Sequence, residues 1–199
     1  RSCGLRVPES LARRYAHPHP TFLVQRFDRT PAGRRLHFAS AMTLCGHQDG
    51  DDASTGASYL EIARVLIDHG AQTGTDLCEL WSRIVFNVLV SNTDDHLRNH
   101  GFIQVPGKGW RLSEAYDMNP VPESHGLKLN ISEADNALDL DLARSVAPYF
   151  RVDADTANAI IERSQAVVKQ WSKLAARLSI PVREQERRVA QGDPEAGER

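Results

Sequence analysis

The chain has 199 residues, of which 41% are hydrophobic and 25% charged, and its formal net charge at pH 7 is −2. This length suits one substantial domain with its own core, and the near-neutral charge gives no overall electrostatic case for binding nucleic acid or a membrane surface. The longest apolar run, IVFNVLV, is too short to span a bilayer. Cys3, Cys45 and Cys78 are widely spaced and lack CxxC pairing, which is typical of reduced thiols in a cytoplasmic protein.

Short elements are predicted along the first part of the chain. Residues 21–27 (TFLVQRF) are apolar and β-branched enough to predict a strand, and residues 28–35 predict a turn. Residues 36–46 predict a short helix that ends at Gly46. The acidic stretch at 47–57, HQDGDDASTGA, predicts a flexible loop.

Two helices with recognisable starts are predicted next. Ser58 and Glu61 form a capping-box pattern at the beginning of the first helix. Asp76 and Glu79 form a similar start signal for a second helix at 76–90. Its apolar residues at helical spacing are Leu77, Leu80, Trp81, Ile84, Val85, Val88 and Leu89. This wide apolar face predicts a buried helix at the centre of the fold.

The second half of the chain predicts a hairpin, a long helix and a tail. Residues 101–117 read as two strands joined by a PGKG turn. Residues 152–178 predict a long amphipathic helix. Its predicted inward residues are Ile160, Ile161, Val167, Val168, Trp171 and Leu174. The polar residues 183–199 predict a disordered tail. The predicted fold class is therefore α+β and mainly α.

The stretch VSNTDDHLRNHGF at 90–102 has two interpretations. Asn, Thr and Asp after a hydrophobic helix are typical of a C-cap and a turn. Phosphoryl transfer from ATP, however, needs an acid that orients the nucleophile's proton and hard oxygen ligands that hold Mg²⁺ on the phosphates. Asp94 and Asn99 are five residues apart with His96 between them, and Asp117 ends the predicted hairpin. Protein kinases place a base Asp, a metal-binding Asn and a second metal-binding Asp in this order, which favours the second interpretation.

Two segments, NTDDHLRNHGF and LSEAYDMNP, resemble the HipA family of toxin serine/threonine kinases, whose signature is Asp-x-His-x-x-Asn followed by Tyr-Asp on a hairpin. SCGLRVPES, VQRFDR and GLKLNIS are similar to the family's segments before the hinge strand, at the hinge and after the metal-binding Asp. The resemblance covers residues 1–175 in the family's order. It implies a protein-kinase-like C-terminal lobe with a small β-hairpin by the active site. The implied divisions are the end of an N-terminal lobe with the hinge at 1–27, the lobe at 28–182 and the tail at 183–199.

The resemblance also implies roles for the residues of the polar stretch. Asp94 is expected to be the catalytic base, and Asn99 and Asp117 are expected to hold Mg²⁺ and so to contact the nucleotide. His96 is expected to brace the loop by hydrogen bonding and to approach the nucleotide. Asp95 stands where the family varies, and we expect its carboxylate to be exposed, solvated and without a role.

Further nucleotide contacts follow from the same resemblance. Backbone groups of Gln25, Arg26 and Phe27 are expected to pair with the adenine edge, with Phe27 adding apolar contact. The alternative for Phe27 is an ordinary core aromatic. Arg98 carries a charge that suits a phosphate, and Tyr116 is expected to lie against the nucleotide.

Two parts of a complete kinase are missing from the sequence. A kinase of this kind has a glycine-rich loop over the phosphates and a strand lysine, both before the hinge. The sequence has no GxGxxG, and its first lysine is Lys108. We therefore expect a C-terminal lobe with the hinge, either cut from a longer protein or encoded by a truncated gene, with little activity alone. The acidic loop at 47–57 also departs from the family's Lys-Tyr and Gly-Gly-Pro pattern, which leaves its contacts open.

These features predict a kinase that moves the γ-phosphoryl group of ATP, with Mg²⁺, onto a protein serine or threonine. The resemblance implies autophosphorylation, an aminoacyl-tRNA synthetase as substrate class, and a HipB-like DNA-binding antitoxin as partner in a toxin–antitoxin pair linked to persistence. One alternative is a non-catalytic kinase-lobe remnant that serves as an interaction module. Another is a metal-dependent phosphohydrolase using Asp94, Asp95, His96 and Asp117, for which paired DxD strands would be expected.

Overall fold

The structure is a computed structural model, and it describes residues 1–15, 21–121, 125–178 and 180. The strands in this part of the chain are β1 (Ser10–Arg13), β2 (Thr21–Val24), β3 (Phe38–Ser40), β4 (Gly101–Val105) and β5 (Gly109–Leu112). The helices are α1 (Ala41–Cys45), α2 (Tyr59–His69), α3 (Thr73–Val90), α4 (Leu140–Val146), α5 (Ala154–Val168) and α6 (Trp171–Arg177). Short 3-10 turns cover Ala53–Thr55, Leu97–Asn99 and Ala147–Phe150. The predicted tail at 183–199 lies outside the described residues.

The α+β, mainly helical class predicted from the sequence is confirmed, and α3 lies at its centre. Leu77, Leu80 and Ile84 on this helix are completely buried, and the helix packs against α2, α4 and α5. The indole N–H of Trp81 donates to the carbonyl of Ala143 at 2.9 Å, which fixes α4 on α3. None of the helices in the described ranges is long and apolar enough to cross a membrane.

The predicted start signal of α3 is wrong, because Asp76 and Glu79 do not cap the helix. The helix begins at Thr73, and Gln72 before it makes no side-chain cap hydrogen bond. The buried carboxylate of Asp76 instead pairs with Arg6 at 2.6 Å and accepts the backbone N–H of Leu112 at 2.9 Å. Glu79 similarly accepts the backbone N–H of Arg6 at 3.1 Å. These carboxylates therefore attach the start of the chain and β5 to the central helix.

The start predicted for the preceding helix is confirmed. Ser58 Oγ accepts the N–H of Glu61, and the Glu61 carboxylate accepts the N–H of Ser58, so both halves of the capping box are formed. Gly46 ends α1 in the left-handed conformation, at φ 77°, as its place after the short helix predicts. Local signals in the sequence therefore set the start of α2 and the end of α1. Glycine suits the end of α1 because it adopts the left-handed conformation at little cost.

The hairpin predicted at 101–117 is confirmed for 101–112, where β4 and β5 pair antiparallel with Phe102 opposite Leu112, whereas 113–117 are not in a strand. A third strand, β3, pairs with the other edge of β4, with Phe38 opposite Ile103. The sequence predicted a helix over 36–46. Within that range Phe38–Ser40 form β3, and only Ala41–Cys45 (α1) are helical. A Cβ at Gly101 would clash with the Phe38 ring, so glycine is needed where the strands meet.

The helix predicted at 152–178 is divided into α5 and α6 between Val168 and Trp171. Residues 169 and 170 are Lys and Gln, neither of which is a helix breaker, so the sequence carries no signal for the interruption. Ile160 and Ile161 are buried as predicted. Leu174 was predicted to face inward but is 53% exposed, because α6 instead turns Ala175 toward the protein.

The N-terminal region forms an exposed two-stranded ribbon joined to the lobe by a packed segment. β1 pairs antiparallel with β2, and all eight residues of the two strands are exposed. Before the ribbon, Cys3 and Leu5 are buried, and the Arg6 carbonyl accepts the N–H of Ala115 at 2.7 Å. The strand predicted at 21–27 is confirmed for 21–24, whereas the domain boundary predicted after residue 27 stays a prediction.

Candidate active site

The polar loop, defined here as residues 91–100, begins where α3 ends. Ser91 adopts the left-handed conformation at φ 52°, and its N–H donates to the carbonyls of Asn87 and Val88. Ser91 alone therefore caps α3, although the interpretation of residues 90–102 as a C-cap and a turn assigned this role to the whole stretch. Several of the remaining polar side chains, including those of Asp95 and Asn99, have other partners, and a 3-10 turn at Leu97–Asn99 leads into β4.

Asp94 is exposed at the edge of a cavity of about 290 Å³, which we call the Asp94 cavity. The polar loop contributes Asp94, His96 and Arg98 to its lining, and the acidic segment 48–52 together with Lys128 forms a further part of its wall. The Nδ1 atom of His96 is buried without a hydrogen-bond partner in the described part of the chain. The cavity is therefore lined by charged groups of both signs around an accessible carboxylate.

The acidic segment is held in place by its own contacts, although the sequence predicted a flexible loop there. His47 donates through Nδ1 to Asp51 at 2.9 Å and through Nε2 to Glu61 of α2 at 3.1 Å. Both ring nitrogens can donate only when the imidazole is protonated. The hydrogen bonds that His47 donates, foremost to Glu61 and also to Asp51, accordingly raise the pKa of His47, although burial opposes this.

Two ion pairs join the acidic segment to the rest of the cavity. Arg98 Nη1 lies 2.6 Å from Asp49 Oδ1, and both side chains are at least half exposed. Lys128 Nζ lies 3.7 Å from Asp52 Oδ2. The charge of Arg98, which the sequence assigns to a phosphate, is therefore paired with a carboxylate in this structure.

Asp95 corrects the sequence prediction most clearly. It was expected to be exposed and without a role, but it is 2% exposed. One carboxylate oxygen accepts hydrogen bonds from the Tyr59 hydroxyl at 2.5 Å, Asn87 Nδ2 at 2.7 Å and His100 Nε2 at 2.8 Å. Asp94 is exposed, whereas the side chain of Asp95, the next residue in the chain, lies in the interior.

The burial of Asp95 also removes a ligand from the phosphohydrolase hypothesis, which required it together with Asp94, His96 and Asp117. Its oxygen Oδ2 is occupied by three protein donors and faces the core. Within the described ranges, no cluster of three or more His, Cys, Asp or Glu residues has a metal-binding arrangement.

Asn99 and Asp117 keep oxygen atoms that suit a hard cation. Asn99 is 6% exposed, and its Nδ2 donates to the Asp94 carbonyl at 3.3 Å, so the amide nitrogen is engaged and Oδ1 points elsewhere. Asp117 is exposed and has a left-handed backbone at φ 56°. Its Oδ1 accepts a hydrogen bond from Asn119 at 2.8 Å. Carboxylate and amide oxygens are common Mg²⁺ ligands, and the metal role of both residues stays a prediction.

Tyr116 connects the hinge region to the polar loop. Its hydroxyl donates to the carbonyl of Arg98 at 2.7 Å, which ties the residue before Asp117 to the residue before Asn99. Its ring stacks on Phe27 with centroids 5.5 Å apart and planes 24° apart. Burial raises the pKa of Tyr116 to about 12, so the hydroxyl remains a donor at neutral pH.

The other predicted hinge residues have partners within the protein. The backbone N–H of Gln25 donates to the Glu9 carbonyl at 2.8 Å, so this donor is already used and does not face an open adenine position. Arg26 forms a two-atom hydrogen bond with Asp28 at 2.8 and 2.6 Å. Phe27 is half-buried and belongs to an aromatic cluster with Tyr116, so it is not an ordinary core residue.

The structure thus brings the predicted residues together in two groups. Asp94, His96 and Arg98 line the Asp94 cavity, while Phe27 and Tyr116 stack on each other and are not among the residues that line it. Sequence reasoning missed the wall formed by the acidic segment and the interior network of Asp95. Both features depend on contacts with segments that are distant in the sequence, such as Tyr59 for Asp95, and local spacing does not show them.

The described part of the chain forms an α+β lobe with small sheets. The model of the HipA-like C-terminal domain matches residues 1–171. The chain therefore belongs to the HipA-like C-terminal domain family.

Two curated relatives bear kinase names. The chain is 34% identical over 155 residues to "Putative kinase Y4dM" of Sinorhizobium fredii, a match that covers 72% of this chain and 37% of that protein. It is 30% identical over 132 residues to a "Putative kinase" of Haemophilus influenzae, covering 60% of this chain and 38% of the relative. The matched region thus spans well under half the length of either relative.

Two solved structures share the fold. One is HipA of Shewanella oneidensis, determined with HipB and operator DNA, with a TM-score of 0.70 and 18% identity over 85% of this chain and 45% of that one. The other is the proinflammatory kinase CtkA of Helicobacter pylori, with a TM-score of 0.51 and 14% identity over 85% of this chain and 77% of that one. At these identities the likeness shows the fold.

Proposed function

We propose that this chain is the C-terminal lobe of a kinase that transfers the γ-phosphoryl group of ATP, with Mg²⁺, to a serine or threonine hydroxyl of a protein. The observation that carries this proposal is the exposed Asp94 at the edge of a cavity of about 290 Å³, next to a buried neighbour that is fixed by three hydrogen bonds. Membership of the HipA-like family and the kinase names of two relatives support it.

Asp94 acts on the acceptor hydroxyl in this proposal. Its carboxylate orients the hydroxyl and accepts the proton while the oxygen forms its bond to the γ-phosphorus and the bond to the ADP oxygen breaks. The acceptor enters through the Asp94 cavity, since this is the open space in front of the carboxylate. Arg98 lies in the same lining and supplies a charge that a phosphate group can pair with.

The residues that fit a metal–nucleotide complex are not among those that line the Asp94 cavity. Asn99 Oδ1 and the exposed carboxylate of Asp117 offer hard oxygen ligands. Bound Mg²⁺ neutralises charge on the phosphates during transfer. The stacked rings of Phe27 and Tyr116 offer an apolar surface beside these ligands for a nucleotide base.

We extend the proposal to the setting of the whole protein. A HipB-like DNA-binding antitoxin is the proposed partner, supported by the solved HipA, which was determined with HipB and operator DNA. An aminoacyl-tRNA synthetase as substrate class, autophosphorylation and a cytoplasmic location rest on the family resemblance and the cysteine pattern alone.

A second candidate is a non-catalytic interaction module, and the exposed ribbon favours it. Leu11 and Phe22, on its two strands, are 55% and 67% exposed. An apolar ribbon edge of this kind can pair with another protein segment. The two candidates differ in whether the lobe uses a nucleotide.

Nucleotide binding by the 199-residue chain separates these candidates. We expect weak binding of Mg·ATP in calorimetry that disappears when EDTA removes Mg²⁺, together with little phosphotransfer, because the lysine and the phosphate loop are absent from this sequence. Losing such charge-stabilising groups costs on the order of 10²-fold or more in rate per group. No magnesium-dependent binding would favour the interaction module, and robust labelling of a protein by this chain would contradict the incomplete-lobe interpretation.

A further inference from the structure

Asp95 is a junction of three structural elements behind the predicted catalytic base. Its Oδ2 accepts one hydrogen bond from Tyr59 at the start of α2, one from Asn87 in the last turns of α3 and one from His100 just before β4. Asn87 also accepts, through Oδ1, a hydrogen bond from Asn92 at 3.0 Å. The network therefore joins both ends of the polar loop to the core helices.

The charges in this network are consistent with a carboxylate that stays ionised. Burial alone raises the pKa of Asp95, but the nearby His100 and the donated hydrogen bonds outweigh it, and the pKa is lowered from its usual value. Burial first, and then the Asp95 charge, raise the pKa of Tyr59 well above its usual value. Tyr59 therefore remains a hydroxyl donor while Asp95 remains an acceptor.

We propose that Asp95 is the positioning residue of the active site, holding Asp94 at the Asp94 cavity through its hydrogen bonds with Tyr59, Asn87 and His100. This inference rests on the proposed function, because it takes Asp94 as the base. The two residues are adjacent, so any displacement of Asp95 from the core moves Asp94.

Replacing Asp95 by asparagine tests the network without changing side-chain size. The amide oxygen can take the place of Oδ2 toward the three donors, but it carries no full charge, and the NH₂ group in place of the other oxygen needs an acceptor of its own. Hydrogen bonds to a charged acceptor contribute more than neutral ones. The substitution is therefore expected to release the polar loop from the core. Tyr59→Phe removes one donor and keeps the ring, so it provides a milder version of the same change.

Hydrogen exchange in the 199-residue chain measures this release directly. The N–H groups of Thr93 and Asn99 are hydrogen-bonded within the polar loop and serve as reporters. We expect their exchange to accelerate by about 10- to 100-fold in Asp95→Asn, by about 2- to 10-fold in Tyr59→Phe, and not in the amides of α5. The matched control is Asp76→Asn, which removes the charge of another fully buried, hydrogen-bonded carboxylate and is expected to leave the two reporters unchanged.

Kinetics in the native protein, by which we mean the longer kinase whose C-terminal lobe this chain is proposed to be, provide a second readout. A purely structural role would not change this readout. Asp95→Asn is expected to lower kcat of phosphotransfer by about 10²-fold while KM for ATP changes less than about threefold, because misplacing a reacting group costs rate more than binding. Asp76→Asn is expected to keep kcat within about threefold of the unsubstituted protein, after correction for the folded fraction.

The two readouts separate failure of this inference from failure of the proposed function. If the unsubstituted native protein transfers no phosphate, the kinase proposal fails, and loop exchange still decides whether Asp95 holds the loop. If exchange at Thr93 and Asn99 rises equally in Asp95→Asn and Asp76→Asn, or rises in neither, the positioning role is overturned. The same conclusion follows if transfer is measurable and Asp95→Asn keeps full kcat.

Discussion

The ion pair between Asp49 and Arg98 gives a prediction whose size follows from its exposure. The two side chains are 73% and 50% exposed and 2.6 Å apart. If Arg98 binds a phosphate, that phosphate competes with the Asp49 carboxylate, so Asp49→Asn frees the guanidinium. Exposed pairs contribute about 0.2–1 kcal/mol, so the affinity for Mg·ATP is expected to rise by about 1.4- to 5-fold at low ionic strength.

Calorimetric titration of the 199-residue chain with Mg·ATP measures this change, and a double-mutant cycle assigns it to the pair. In an Arg98→Gln background, Asp49→Asn is expected to have no effect, because there is no guanidinium to release. Asp141→Asn is the matched control, since Asp141 forms a similar exposed pair with Arg144 at 2.7 Å on α4. An affinity that is unchanged or lower in Asp49→Asn, or an equal gain in the Arg98→Gln background, would refute the competition between carboxylate and phosphate.

Three further predictions test the cavity wall, the core and the hinge contact. Glu61→Gln should lower the pKa of His47 in an NMR titration. Because the pKa of His47 is raised in the folded protein, the stability that this histidine adds is present below its usual pKa of 6.5. That stability is lost as the pH rises through the raised pKa. An unchanged titration would contradict the hydrogen bond between His47 and Glu61. Leu80→Ala, at a fully buried position, should cost about 2–5 kcal/mol in denaturant unfolding, and a cost under about 1 kcal/mol would contradict a central α3. Tyr116→Phe removes the hydrogen bond to the Arg98 carbonyl and should cost about 0.5–1.5 kcal/mol of stability; no loss would show that this bond does not hold the loop.

Sequence patterns predicted those features that depend on neighbouring residues. The apolar spacing of Leu77, Leu80 and Ile84 predicted the buried central helix, because helical periodicity places these residues on one face. Ser58 and Glu61 predicted a capping box for the same local reason. The order of Asp94, Asn99 and Asp117 led to the family that residues 1–171 match.

Features that depend on distant residues could not be predicted in this way. Asp76 and Glu79 have the spacing of a capping box, but their partner Arg6 lies 70 or more residues away, and tertiary pairing replaced the local role. Asp95 is a carboxylate of the kind usually found at the surface, and its burial becomes favourable only because Tyr59 of α2 and Asn87 of α3 donate hydrogen bonds to it. In both cases a distant partner stabilises a buried charge, and the neighbouring sequence does not show that this partner exists.

The central claim is that Asp94 is the base while Asp117 holds the metal, and one paired measurement tests it most directly. Asp94→Asn and Asp117→Asn are made in the native protein, and Mg·ATP binding by calorimetry and phosphotransfer from ATP are measured for each. We expect Asp94→Asn to abolish transfer with Mg·ATP affinity nearly intact, because it removes a proton acceptor and leaves the metal ligands. Asp117→Asn is expected to weaken Mg·ATP binding as well as stop transfer, because it removes a charged ligand. Transfer that survives in Asp94→Asn would contradict the assignment of the base and with it the account of this site.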